Sequence, residues 1–191
     1  MDAAEPAASV VLAAEVFDVL AGRLAKRSET IALFAETGSS FQEWCVWEGL
    51  SAGRARGWTV RPKPGYAEVG VAGSRDAADL LVFDPASGQR VLLELAIIHD
   101  WTTNKWIDEL NGDTARLGRP LAGGIVPLQA ILAVCPHSPI DVNPTWQGWL
   151  GMSAIWNRPT ELKRVLRLGP VGQLVLKGWV MSIARRPCRR D

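Results

Sequence analysis

Asp79-Leu-Leu-Val-Phe-Asp84 and Arg90-Val-Leu-Leu-Glu-Leu-Ala-Ile-Ile98 read as two apolar strands, each with a carboxylate where a core residue is expected. The segment between them, Asp84-Pro-Ala-Ser-Gly88, has strong turn chemistry. A turn centred near Ala86–Ser87 pairs the strands antiparallel and sets Asp79 almost opposite Glu94. Directly opposed side chains in a sheet lie about 4.5–5.5 Å apart at Cβ, and like charges there are destabilising. Such a pair needs a cation between the groups, a proton on one of them, or access to water. A divalent metal is the functional answer. The competing answer is a register one residue away, which turns one carboxylate to solvent.

Around this hairpin the chain alternates helical and strand-like patterns. Val10, Ala13, Phe17, Leu20 and Leu24 recur at helical spacing between Ser9 and about Lys26, with Ser9 as N-cap and Lys26 and Arg27 suited to the C-terminal dipole. A short helical piece over 29–36 ends near Gly38. Ser40, three residues before Glu43, forms a capping-box signature for a helix running to about Gly53, with Phe41, Trp44, Cys45, Trp47 and Leu50 inward. Gly57–Arg61 reads as a strand closed by Pro62 and Pro64. Residues 65–76 read as a Gly-rich loop with a short strand at Ala67–Val71.

After the hairpin, Thr102 or Thr103 caps a helix carrying Trp106, Ile107, Leu110 and Leu117, stopped by Gly118 and Pro120. Its polar positions are Asp108, Glu109, Asp113 and Arg116. Leu128–Val134 is a buried strand, 145–156 a short Trp-rich helix, and Gly172–Ile183 a final strand. The order predicts an α/β fold with a mixed central sheet flanked by helices. It divides into an N-terminal helical extension, 1–38, and an α/β domain, 39–191, ending in an Arg-rich tail.

The 191 residues carry a net charge of +1, so nucleic-acid affinity requires a local basic patch. Arg185-Arg186-Pro187-Cys188-Arg189-Arg190 is one such cluster. Cys45, Cys135 and Cys188 show no zinc-ligand spacing and no disulfide framework, which suits a reducing cytoplasm. No apolar run reaches the roughly 18–20 residues needed to span a bilayer, so no membrane partner is expected. The N-terminus, with Asp2 and Glu5, lacks the basic region of a signal peptide.

The motif and element order together resemble the PD-(D/E)XK, or restriction-endonuclease-like, nuclease superfamily. The resemblance covers roughly residues 39–135. It implies an αβββαβ core, with Asp at the second strand and Glu-x-Lys on the third. Asp79 and Glu94 match the carboxylates. Together with the carbonyl of residue 95 they would hold Mg²⁺ or Mn²⁺, hard cations that prefer oxygen. A glutamate on the first helix, Glu43, is implied as a third carboxylate, with Glu48 as the other option; Glu43 also fits a capping role. The chain departs from the pattern at Ala96, where the lysine belongs. Lys105, on or near the following helix, is the first candidate for a displaced lysine, and Lys63 the second.

Two functions stand open on this reading. One is a metal-dependent nuclease hydrolysing DNA phosphodiester bonds, with Asp79, Glu94, Glu43 and Lys105 in the site. Its phosphate contacts would come from Arg54, Arg56, Arg61, Arg75 or the tail. The alternative is a catalytically inactive protein of the same fold that binds nucleic acid, a protein partner or a second copy of itself. His99 and Asp100 read as strand-end residues and Asp84 as a turn residue, and Gln129 begins the fourth strand, where some members of that superfamily place a polar site residue.

Overall fold

The computed structural model describes residues 8–102 and 106–181. Among these, five α-helices surround one six-stranded mixed sheet. The helices are α1 (Ala8–Ala25), α2 (Ser28–Thr37), α3 (Gln42–Ala55), α4 (Trp106–Leu117) and α5 (Pro144–Gly151). The strands are β1 (Thr59–Pro62), β2 (Leu80–Phe83), β3 (Arg90–His99), β4 (Val126–Cys135), β5 (Lys163–Leu168) and β6 (Gly172–Val180). They lie in the order β1-β2-β3-β4-β6-β5. Only β3 and β4 run parallel, joined through α4; the other neighbours are antiparallel. A parallel neighbour needs such a crossover, whereas β2 and β3 need only a tight turn.

Strand alternation sends side chains to two different cores. Val91, Leu93 and Leu95 of β3, with Leu128, Ala130 and Leu132 of β4, pack under α1, α2 and α3. Ile98, Ile131, Ala133 and Cys135 pack on the other face with α4, α5 and Trp146, Trp156 and Trp179. β4 is central and almost wholly buried, which explains its unbroken apolar sequence. A smaller cluster, Tyr66, Val69, Val71, Ala78, Leu92, Leu117 and Ile125, closes one end of the α4 face.

Residues before Gly38 take part in the main core. Leu12, Phe17, Leu20 and Leu24 of α1 are buried there with the sheet residues. Phe17 lies so close to β6 that a Cβ on Gly178 would stand 2.7 Å from its ring. Gly38 ends α2 with φ 70°, the left-handed conformation common at helix C-termini.

Three local expectations are corrected. Ser40 does not cap α3: Phe41 is the N-cap residue, without a side-chain hydrogen bond, and Glu43 turns to Lys63 instead. Trp47 points outward and is half exposed. Tyr66–Val69 is a 3-10 turn rather than a strand, closed by Gly70 at φ 100°. Thr103, Lys105 and the Arg-rich tail lie outside the described residues. No described helix is long and apolar enough to cross a membrane.

Because α1 is built into the core, Phe17→Ala is expected to cost about 3–5 kcal/mol, measured by urea unfolding. Trp47→Ala is expected to stay within about 0.5 kcal/mol of wild type. A Phe17 effect as small as that of Trp47 would show α1 to be a dispensable addition.

Candidate functional site

β2 is short and β3 is long, and that difference makes the site. Their register pairs Leu80 with Leu93 and Phe83 with Arg90. One step beyond the last pair, Asp79 falls opposite Glu94, as the turn chemistry predicts. The turn itself is held by Asp84, whose carboxylate accepts from the Ala86 and Ser87 N–H groups and the Ser87 hydroxyl. That network, led by the Ser87 hydroxyl, holds the Asp84 carboxyl below its usual range.

Past Asp79 the chain leaves the sheet, and β3 continues alone on that side. Asp79 fills the first step of the gap: its Oδ2 accepts from the Leu95 N–H at 2.8 Å. The N–H and C=O of one strand residue point to the same side. The Leu95 carbonyl therefore faces the same notch. Asp79 and Glu94 are 3% and 4% exposed, a burial that ionised carboxylates tolerate only with partners.

Lys63 is the partner of Asp79. Its ammonium lies 2.7 Å from Asp79 Oδ1 and 3.6 Å from Glu43 Oε2. It is the only described non-glycine residue with positive φ, at 48°. Two prolines flank it, and its N–H donates to the Asp79 carbonyl at 3.0 Å. A lysine held in this sparsely populated conformation stores local strain. Burial alone would lower its pKa, but the hydrogen bond and charge of Asp79, with Glu43 and Glu94, raise it. The cation at the mouth of the site is firmly protonated.

Glu94 has a different environment. It projects toward the α4 face, where the Tyr66 hydroxyl donates to its Oε1. Tyr66 is fully buried, and Arg116 of α4 stacks over its ring at 5.5 Å. Arg116 pairs with Asp113 and, at 3.2 Å, with Asp76. Burial, then the charges of Asp79 and Asp113, push the Glu94 carboxyl up from 4.5 to about 8, against the Tyr66 hydrogen bond. Burial and the Glu94 charge also raise the Tyr66 phenol, so it stays a donor.

The remaining expected residues are placed as follows. Glu43 contacts Lys63 rather than the Asp79–Glu94 pair, and no group of three His, Cys, Asp or Glu side chains able to hold a metal occurs among the described residues. Glu48 is engaged by Arg23 and Arg27. Arg61 pairs with Glu68 at 2.7 Å, and Arg54 donates to the Val60 carbonyl. His99 packs on Phe41, its Nδ1 accepting from the Trp101 N–H, and Asp100 accepts from the Trp146 indole. Lys105 lies outside the described residues. Tyr66, Asp113 and Arg116 join the site without being expected from the sequence. The available signal was that Tyr66 is the chain's only tyrosine, in a Gly-rich segment, and a buried phenol needs a hydrogen-bond partner.

No family model matches this chain, and no curated protein and no solved structure matches it.

The raised Glu94 pKa sets a pH dependence. Its protonated form is favoured by folding, so its contribution is full below about pH 4.5 and is lost as pH rises through about 8. His99, lowered mainly by burial, contributes with the opposite sign at the acidic end. The difference between wild type and Glu94→Gln isolates the carboxyl. Urea unfolding across pH 5–9 is expected to show wild type losing stability relative to Glu94→Gln as pH rises. Parallel curves would place Glu94 in solvent.

Proposed function

We propose that this protein is a metal-dependent nuclease hydrolysing DNA phosphodiester bonds, built on a restriction-endonuclease-like core. The observation that carries the reading is the buried Asp79–Glu94 pair, opposed across the notch where β2 ends and β3 continues. The succession α3, β1, β2, β3, α4, β4, with sheet order β1-β2-β3-β4 and parallel β3 and β4, supports it. That succession is the αβββαβ order of the resemblance, with α1 and α2 before it and α5, β5 and β6 after.

The residues fit a hard cation. The notch presents the oxygens of Asp79, of Glu94 and of the Leu95 carbonyl, and these would hold Mg²⁺ or Mn²⁺. When bound, such an ion supplies Lewis acidity toward a phosphoryl oxygen and acidifies a coordinated water. Asp79 is held in place by the Leu95 N–H, and Glu94 by Tyr66. Lys63, with its side chain 43% exposed, closes the notch and is the one described ammonium on the carboxylate pair. It takes the place of the lysine missing at Ala96, where it steadies negative charge developing on the phosphate. DNA reaches the pair when the Lys63 side chain swings from Asp79 to a phosphate oxygen.

One observation favours the alternative, an inactive relative that binds a partner. Lys63 satisfies Asp79 and Tyr66 satisfies Glu94 within the chain itself. The two readings separate in a plasmid-nicking assay with Mg²⁺ and Mn²⁺. Wild type is expected to nick, and Asp79→Ala and Glu94→Ala to lose nicking. Lys63→Ala is expected to fall about 10²–10³-fold, and Lys105→Ala to retain activity. No cleavage by wild type, or equal cleavage by the carboxylate variants, would leave the binding protein as the account. Loss in Lys105→Ala with retention in Lys63→Ala would exchange the two lysines.

A further inference from the structure

We propose that Gln129 supplies, through its side-chain oxygen, a further ligand to a divalent cation held by Glu94; the inference rests on the metal reading above. Gln129 is register partner to Glu94 across the parallel β3–β4 ladder. Side chains of register partners leave the same face of adjacent strands, which stand about 4.8 Å apart. Gln129 is fully buried there, on the face that α4 covers.

Its amide orientation is fixed by its neighbours. Nε2 donates to the Glu94 carbonyl at 3.4 Å and to the Ala130 carbonyl at 3.3 Å. Reversing the amide would set its oxygen against two carbonyl oxygens. Oε1 is therefore the free end, and it is buried with no hydrogen-bond partner among the described residues. The other two buried side-chain atoms without partners among the described residues are Thr114 Oγ1 and Arg116 Nε. Both are donors, and since neither is partnered, neither reaches Gln129.

A buried acceptor without a donor is costly, and native interiors rarely keep one. The next residue along β4 on this face, Ile131, is buried and apolar. An amide oxygen at this position, beside a buried carboxylate, meets the demand of a hard divalent cation for several oxygens. A cation on Glu94 and Gln129 gives Oε1 the partner that the described residues do not provide.

The test is Mn²⁺ binding, read from the free-ion paramagnetic resonance signal and from thermal melting with and without Mn²⁺. Wild type is expected to bind and to melt higher with the ion. Gln129→Leu and Gln129→Met remove the oxygen and keep the volume. Either is expected to melt at or above wild type without metal, and to bind Mn²⁺ at least about tenfold more weakly. Unchanged affinity in both variants, with binding abolished by Glu94→Gln, overturns the inference alone and leaves a buried water as the partner of Oε1. No binding by wild type overturns the inference and the metal reading together. Weakened binding in the Gln129 variants, without plasmid cleavage by wild type, keeps the cation site and removes only the nuclease.

Discussion

The ion pair between Lys63 and Asp79 is the contact on which the site depends. Two carboxylates, each less than a twentieth exposed, face one another across a sheet. Left alone, both would have to be protonated or the strands would part. The chain divides the problem. Asp79 receives a full cation and a backbone N–H, and Glu94 receives a phenol and a raised pKa. Burial thereby raises the Glu94 carboxyl, while the Lys63 ammonium and the Leu95 N–H hold the Asp79 carboxylate in place.

The fold prepares this division at several levels. Pro62 ends β1 and Lys63 adopts its strained turn, after which residues 63–66 keep hydrogen-bonding to residues 76–79. The 3-10 turn that follows brings Tyr66 beneath β3, where Leu92 and Leu117 bury its ring. The crossover helix α4 then covers that side and adds Asp113 and Arg116 around the phenol. The ammonium beside Asp79 arrives from the end of β1, on Lys63. Ala96 packs with the apolar face under α4 and α5.

The parts legible in the sequence were those set by local chemistry. The turn Asp84-Pro-Ala-Ser-Gly88 fixed the hairpin register, and with it the opposition of Asp79 and Glu94. Helical periodicity placed α1 and α4, and the apolar run placed β4. What escaped was decided over long distances. Tyr66 meets Glu94 across 28 residues, and no periodicity links them. The capping box at Ser40 failed because α3 begins one residue later, with Phe41 at the N-cap, so Glu43 falls at the second helical position and lies near Lys63. Trp47 was placed inward because hydrophobicity alone does not say which side of a helix stripe ends at the surface. Gln129 stood out in the sequence only by its place at the start of the fourth strand; its meaning lies in an atom left without a donor among the described residues once the sheet is assembled.

The most direct test of this account is a double-mutant cycle on Lys63→Met and Asp79→Asn, with unfolding free energies measured at neutral pH without metal. If the ammonium is what makes the buried Asp79 tolerable, the two changes couple. The expected coupling is about 1–2 kcal/mol, reduced from the full strength of a charged hydrogen bond because Lys63 is partly exposed. Additive effects, with coupling below about 0.5 kcal/mol, would contradict the account: Asp79 would then be stabilised by the Leu95 N–H and water, and Lys63 would be a surface side chain resting nearby.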